Sequence, residues 1–131
     1  MIVVDASALI EFLLQTPLGS RIEARLFRDG DDFHAPHLID VEVAHALRRL
    51  VRGGEVRAVR AAEALDDLAD FDLRRHSHTP FLGRAWELRD HLAAYDAMYV
   101  TLAEAIDARL VTCDSRLGAT HVRGARVEVI G

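Results

Sequence analysis

The stretch Met1-Ile2-Val3-Val4-Asp5-Ala6-Ser7 decides how this chain is read. A short unbroken apolar run rich in β-branched residues is the mark of a strand buried on both faces, as in a parallel sheet. It runs straight into an aspartate, after which Ala6 to Leu14 carries helical spacing. In open α/β sheets, ligands gather at the carboxyl ends of the strands. Asp5 is therefore either the cap of the helix that follows or a ligand for something positive.

A second stretch repeats the pattern. Arg109-Leu110-Val111-Thr112-Cys113 reads as another buried strand, and it too ends on an aspartate, Asp114. Val127 to Ile130 reads as a terminal strand, Phe33 to Leu38 as a short strand or extended segment, and Asp72 to His76 as a weaker strand. Between them a helix is expected from a Ser20 cap to about Arg28, and another from an Asp40 cap through Val41 to Val51. In the latter, Val43, Leu47 and Leu50 fall at i, i+4 and i+7, with Glu42, Ala46 and Arg49 on the adjoining face. Gly53-Gly54 stops that helix. An alanine-rich helix follows from Glu55 to about Phe71, its apolar stripe formed by Val59, Ala62, Leu65, Leu68 and Ala69. Thr79-Pro80 opens a helix to about His91, and Ala94 to Ala105 is the most apolar helix of all. The alternation implies an α/β fold with a short parallel sheet covered by helices, in a single domain spanning residues 1–131.

Composition narrows the function. Half of the 131 residues are hydrophobic and 28% are charged, a globular profile that excludes a disordered chain. No apolar run reaches the roughly 18–20 residues that cross a bilayer. No basic region precedes the apolar start, so a signal peptide is not expected. The lone cysteine, Cys113, excludes an intrachain disulfide and suits a reducing cytoplasm. A formal charge of −5 makes the whole molecule a poor electrostatic attractor for nucleic acid, so a phosphate-bearing substrate would need cations or a local basic face. All 16 basic residues are arginine, which removes lysine nucleophiles, Schiff bases and a P-loop lysine.

Two strands that each deliver an aspartate would bring Asp5 and Asp114 together if they are neighbours in the sheet. Asp96 stands at the front of the most apolar helix, and Glu42 in the first turn of another. Four acids in one cavity repel one another and, when buried, resist ionisation. A hard divalent cation such as Mg²⁺ or Mn²⁺ resolves that conflict, and the resulting centre suits phosphodiester hydrolysis. Taken singly, each acid has an ordinary alternative. Asp5 and Asp96 can cap helices, Asp114 can open a turn, and Glu42 can favour a helix dipole. Those alternatives do not explain why both apolar strands end on Asp.

Other features carry less. The seven histidines (His34, His37, His45, His76, His78, His91 and His121) are scattered without a zinc motif, and His34 and His37 are expected at the surface. Met98, Tyr99 and Trp86 are expected to pack in a core or interface. Arg48, Arg49, Arg52, Arg74 and Arg75 offer either a phosphate-contacting rim or solvated helix faces.

The ordered set Val-Val-Asp5-Ala-Ser7-Ala, Asp-Val-Glu42-Val-Ala-His-Ala-Leu-Arg-Arg, Tyr-Asp96-Ala-Met-Tyr-Val-Thr-Leu-Ala and Leu-Val-Thr112-Cys-Asp114 resembles the PIN-domain ribonucleases. More narrowly, it resembles the VapC toxins of type II toxin–antitoxin systems. The likeness covers essentially the whole chain. It implies a three-layer α/β/α sandwich around a short, mainly parallel sheet and Mg²⁺- or Mn²⁺-dependent endoribonuclease activity. It places Asp5, Glu42, Asp96 and Asp114 at the metal, with Ser7 and Thr112 as accessory polar positions. It also implies an RNA substrate, a cognate VapB-type antitoxin, a homodimer and a cytoplasmic location. Two other functions compete. A phosphatase with Asp5 as nucleophile would need a second Asp where Ser7 stands, and a lysine. A non-catalytic interaction module would use the four acids only as caps.

Overall fold

The computed structural model describes residues 1–120, 122 and 124–131. Five parallel strands form the centre: β1 (Ile2–Val4), β2 (Phe33–Pro36), β3 (Leu73–His76), β4 (Arg109–Thr112) and β5 (Arg126–Val129). Their spatial order is β3-β2-β1-β4-β5. The chain therefore steps outward from β1 in one direction to β3, then crosses back to β4 and leaves in the other. That reversal makes the gap beyond β1 and β4 a topological switch point, where sheets of this type form their crevice. Val4 is in register with Val111, so β4 ends one residue beyond β1 at the same edge of the sheet.

The apolar runs end where burial does. Ile2, Val3, Val4, Leu110 and Val111 are all buried, each contributing about 1.5–3 kcal/mol. Helices α1 (Ala6–Leu13), α2 (Pro17–Leu26), α3 (Leu38–Arg52) and α4 (Ala58–Asp70) pack with one another on one side of the sheet. Helix α5 (Leu82–Glu87) packs on α6 (Ala94–Ala105), which covers β1, β2 and β4 from the other side; α7 (Ser115–Gly118) sits by β5. Residues Ala97 to Ala103 of α6 are all buried, as expected of a helix that is apolar all round.

Several local expectations are corrected. Thr16, not Ser20, caps α2: its hydroxyl accepts from the Gly19 N–H at 2.9 Å, and Pro17 fills the first helical position, where no donor is needed. Helix α3 starts at Leu38, so Asp40 lies inside its first turn. Its carboxylate is taken by a two-pronged contact from Arg75 at 2.7 and 2.8 Å. The buried face of α4 is Ala61, Ala64 and Leu68, whereas Val59 and Leu65 are exposed. In an alanine-rich helix the small residues admit close neighbours, so side-chain size does not mark the inner face. The helix expected from Thr79 divides into a 3₁₀ turn, Thr79–Phe81, and the short α5.

Candidate active site at the switch point

The four acids reach one cavity by four different routes. Asp5 leaves β1 as the N-cap of α1, and Asp114 leaves β4 as the N-cap of α7. Glu42 comes from α3 on one side of the sheet and Asp96 from the first turn of α6 on the other. They line a cavity of about 620 Å³ together with Ser7, His45, Arg49, Tyr95, Tyr99 and Arg116. The capping alternative is thus true of Asp5 and Asp114 without being the whole account, and it fails for Asp96, whose helix is capped by Ala93 with no side-chain bond.

Asp5 is held by two parallel relays. The Cys113 N–H donates to Ser7 Oγ at 2.9 Å, and Ser7 Oγ donates to Asp5 Oδ1 at 2.7 Å. The Asp114 N–H donates to Thr112 Oγ1 at 2.9 Å, and Thr112 Oγ1 donates to Asp5 Oδ2. Because a backbone donor fills an acceptor side of each hydroxyl, each hydroxyl proton is directed at the carboxylate. The Ala8 N–H adds a third bond to Oδ1 at 3.1 Å. A carboxylate has about four acceptor directions, so one remains, on Oδ2.

Charge in this cavity is poorly compensated. Burial pushes the Asp5 carboxyl above its ordinary value, against the opposing pull of Thr112, Ser7 and Ala8, and Asp96 adds to the rise. Glu42 is raised by burial and by Asp5 and Asp96, although the Tyr99 hydroxyl, donating to Oε1 at 2.5 Å, opposes this. Asp96 is raised by burial and by Asp114. Only Asp114 is lowered, chiefly because Arg116 donates to both its oxygens at 3.2 and 3.0 Å. Among the described residues, no three Asp, Glu, His or Cys side chains are already drawn together as a finished cation cage. Two of the acids are turned toward protein partners, Glu42 to Tyr99 and Asp114 to Arg116.

A cavity of about 530 Å³ at the opposite end of the strands makes the contrast. There Glu128 is paired with Arg25 at 2.8 Å, Asp107 with Arg126 at 3.1 Å and Asp31 with the N-terminal ammonium at 2.7 Å. Acids that already have partners need no cation, so the cavity at the strand C-termini is the candidate site.

One expectation fails around it, the surface place of His34. Met98 and Tyr99 are buried as expected, and Trp86 is 66% exposed on α5, so of its two expected settings the core is excluded. His34 is buried, not superficial, with Nδ1 2.8 Å from His76 Nε2. His121 lies outside the described residues. Of the expected arginine rim, Arg49 lines the cavity, while Arg75 is committed to Asp40. Arg116 and the Tyr99 hydroxyl were not anticipated as parts of the site. The spacing of Tyr99 at three residues after Asp96 on one helix was the available signal.

Comparison with known proteins agrees with this fold. The PIN domain profile matches residues 2–122. Ribonuclease VapC12 of Mycobacterium tuberculosis is 37% identical over 130 residues, covering 99% of each chain. Ribonuclease VapC9 of the same species is 41% identical over 130 residues, covering 99% of this chain and 98% of that protein. The crystal structure of PAE2754 from Pyrobaculum aerophilum superposes with a TM-score of 0.69 at 28% identity, over 96% of this chain and 82% of that one. VapBC2 from Rickettsia felis, solved with a DNA fragment from its promoter, shares the fold with a TM-score of 0.68 at 14% identity, over 98% of each chain. With four acids at the switch point of a parallel sheet and relatives of this closeness along its whole length, the chain belongs to the PIN-domain family, among the VapC proteins.

Proposed function

We propose that this protein is a divalent-cation-dependent endoribonuclease, the toxin of a type II toxin–antitoxin pair acting in the cytoplasm. The observation that carries the reading is the meeting of Asp5, Glu42, Asp96 and Asp114 in one cavity, three of them raised by burial and by one another. The ribonuclease names of its relatives support it. The donor set suits Mg²⁺ or Mn²⁺: every candidate ligand is a carboxylate, and the cavity is wide enough for an ion that keeps several waters and takes only one or two protein ligands. Asp5 and Asp96 are the principal ligands in this reading, with Glu42 and Asp114 completing the ring. When bound, the cation neutralises the phosphate, lowers the pKa of the attacking water and stabilises the leaving oxygen.

The chain's own residues do the positioning. Ser7 and Thr112 fix the Asp5 carboxylate and leave its last acceptor direction to the cavity. Tyr99 holds Oε1 of Glu42, so Oε2 is the oxygen that orients the attacking water and takes its proton. Arg49 at the cavity holds a flanking phosphate, and Arg116, which pairs with both oxygens of Asp114, fixes the direction of that carboxylate. In-line attack at phosphorus breaks the bond to the 3′-oxygen and leaves a 3′-hydroxyl and a 5′-phosphate. Asp5 is a poor candidate for a phosphatase nucleophile, since both its oxygens already accept hydrogen bonds. A VapB-type antitoxin that covers the cavity, and a homodimer, complete the proposal.

The test is cleavage of RNA by purified, antitoxin-free protein in Mg²⁺ or Mn²⁺ against EDTA, beside Asp96→Asn. Cation-dependent cutting that the variant loses, with its circular dichroism and melting unimpaired, is the expected result. Full activity in Asp96→Asn would sink the proposed centre.

A further inference from the structure

Single exposed apolar side chains are ordinary on a protein surface, so Trp86 and Tyr95 need a reason beyond exposure. Their reason is position. Both are 66% exposed, more than Phe27 at 54%, the other large aromatic that the fold leaves open. Tyr95 precedes Asp96 and lines the acidic cavity itself. Ala94, the residue before it, lines a neighbouring apolar groove of about 280 Å³ with Leu82, Trp86, Arg89 and Met98. One turn at the start of α6 is thus the shared wall between the catalytic cavity and the groove that carries Trp86. The guanidinium of Arg89 sits over the indole at 4.8 Å from the ring centre, so the groove's aromatic floor is accompanied by a positive charge suited to a phosphate.

We infer that an RNA strand crosses the first turn of α6, stacking the base beside the cut phosphodiester on Tyr95 and a later base on Trp86, with Arg89 at the intervening backbone. The inference rests on the nuclease reading of the cavity and specifies how that cavity holds its substrate. Base–aromatic stacking is tolerant of sequence, since every base has a π-face. It requires unstacked bases, and a duplex withholds them. The two rings therefore select single-stranded or looped RNA over paired RNA. The acidic centre alone does not make that distinction.

The experiment measures binding separately from cutting. Full-length protein carrying Asp96→Asn is titrated in Mg²⁺ with a labelled single-stranded oligonucleotide pool of randomised sequence, and with a duplex of equal length. Tyr95→Ala in that background should weaken single-strand binding roughly tenfold, Tyr95→Phe should restore it, and duplex binding should not change. Trp86 is the chain's one tryptophan, so its fluorescence reports the groove directly and should be quenched by the single strand alone. Unchanged single-strand affinity in Tyr95→Ala, or an equal loss toward duplex, overturns the inference. So does a bound strand that leaves Trp86 emission unmoved, which would give that face to a protein partner. Were the parent chain still to cut RNA in any of these cases, the inference alone would fall. A parent that neither binds nor cuts RNA removes the nuclease reading with it.

Discussion

Asp5 illustrates how one carboxylate serves two purposes. Its bond to the Ala8 N–H starts α1, and its bonds to Ser7 and Thr112 tie the ends of β1 and β4 together. A residue chosen only as a cap would need the first of these and not the others. Tyr99 does the corresponding service for Glu42, reaching from one helical layer to the other across the end of the sheet. Its ring is buried and its hydroxyl points at a half-buried acid, so Tyr99→Phe keeps the packing and removes one donor. Water can replace that donor at the cavity wall, and stability should fall by less than about 1 kcal/mol. The carboxylate loses its fixed direction, however, and kcat should drop roughly tenfold with KM held. Steady-state kinetics beside a thermal melt would separate these effects; a matching loss in KM would deny Tyr99 a positioning role. Asp5, Asp96 and Asp114 were legible from sequence, because each ends an apolar run or opens an apolar helix; Glu42, the fifth residue of α3, was legible only as a member of the ordered set of four acids. The hydroxyl of Tyr99 was legible only in part: its spacing from Asp96 places the ring on the same helix face, but does not show that the polar atom reaches Glu42.

Among the elements, the contact between α1 and α2 leaves least freedom. A Cβ on Gly19 would stand 2.1 Å from the carbonyl oxygen of Glu11, and backbone cannot yield as a flexible side chain does. Gly19→Ala should therefore cost at least about 2 kcal/mol, read as a lower urea midpoint with an unchanged slope. Between β2 and β3 the tie is a histidine pair. Burial, then His76 and Arg74, hold the His34 imidazole below its ordinary value, with Asp32 opposing and the N-terminal ammonium assisting. Burial, then Arg74 and His37, lower His76. Both rings are depressed in the folded state, so their contribution is complete above the unfolded value near 6.5 and is lost as pH falls through the folded values. The urea midpoint should be flat above about pH 7 and decline toward pH 5. Replacing His76 by Gln should reduce the decline, and an unaltered slope would remove the pair as its source. Strong elements such as β1, β4 and α6 were readable because burial and apolar sequence coincide in them. The inner face of α4, the cap of α2 and the interior place of His34 depend on which neighbours arrive. Periodicity within one segment does not contain that information.

For the molecule as a whole, the sheet order matters more than any helix. The sequence supplied two strands ending in aspartate, but their adjacency is a property of the crossover from β3 to β4 and became visible only in the fold. Gathering like charges at that place costs stability, and the overall charge of −5 does nothing to relieve it. An ion that binds the folded chain and not the unfolded one raises the melting midpoint by mass action. Millimolar Mg²⁺ should therefore raise the midpoint relative to EDTA at matched ionic strength, and Asp5→Asn or Asp96→Asn should abolish most of that rise. An equal rise in both variants would mean that the ion acts elsewhere.

The bond from Thr112 to Asp5 joins residues separated by 107 positions. Synthesis at about 5–20 residues per second puts several seconds between their emergence from a ribosome. Until β4 has been made, Asp5 lacks the Thr112 donor, the Ser7 relay lacks its Cys113 anchor and Asp114 does not exist. A nascent chain thus carries one acid, then two from Glu42 and three only from Asp96, and cannot assemble the centre before Asp114 is made. For a protein whose proposed substrate is RNA, this order of synthesis keeps the growing chain harmless to the machinery that is making it.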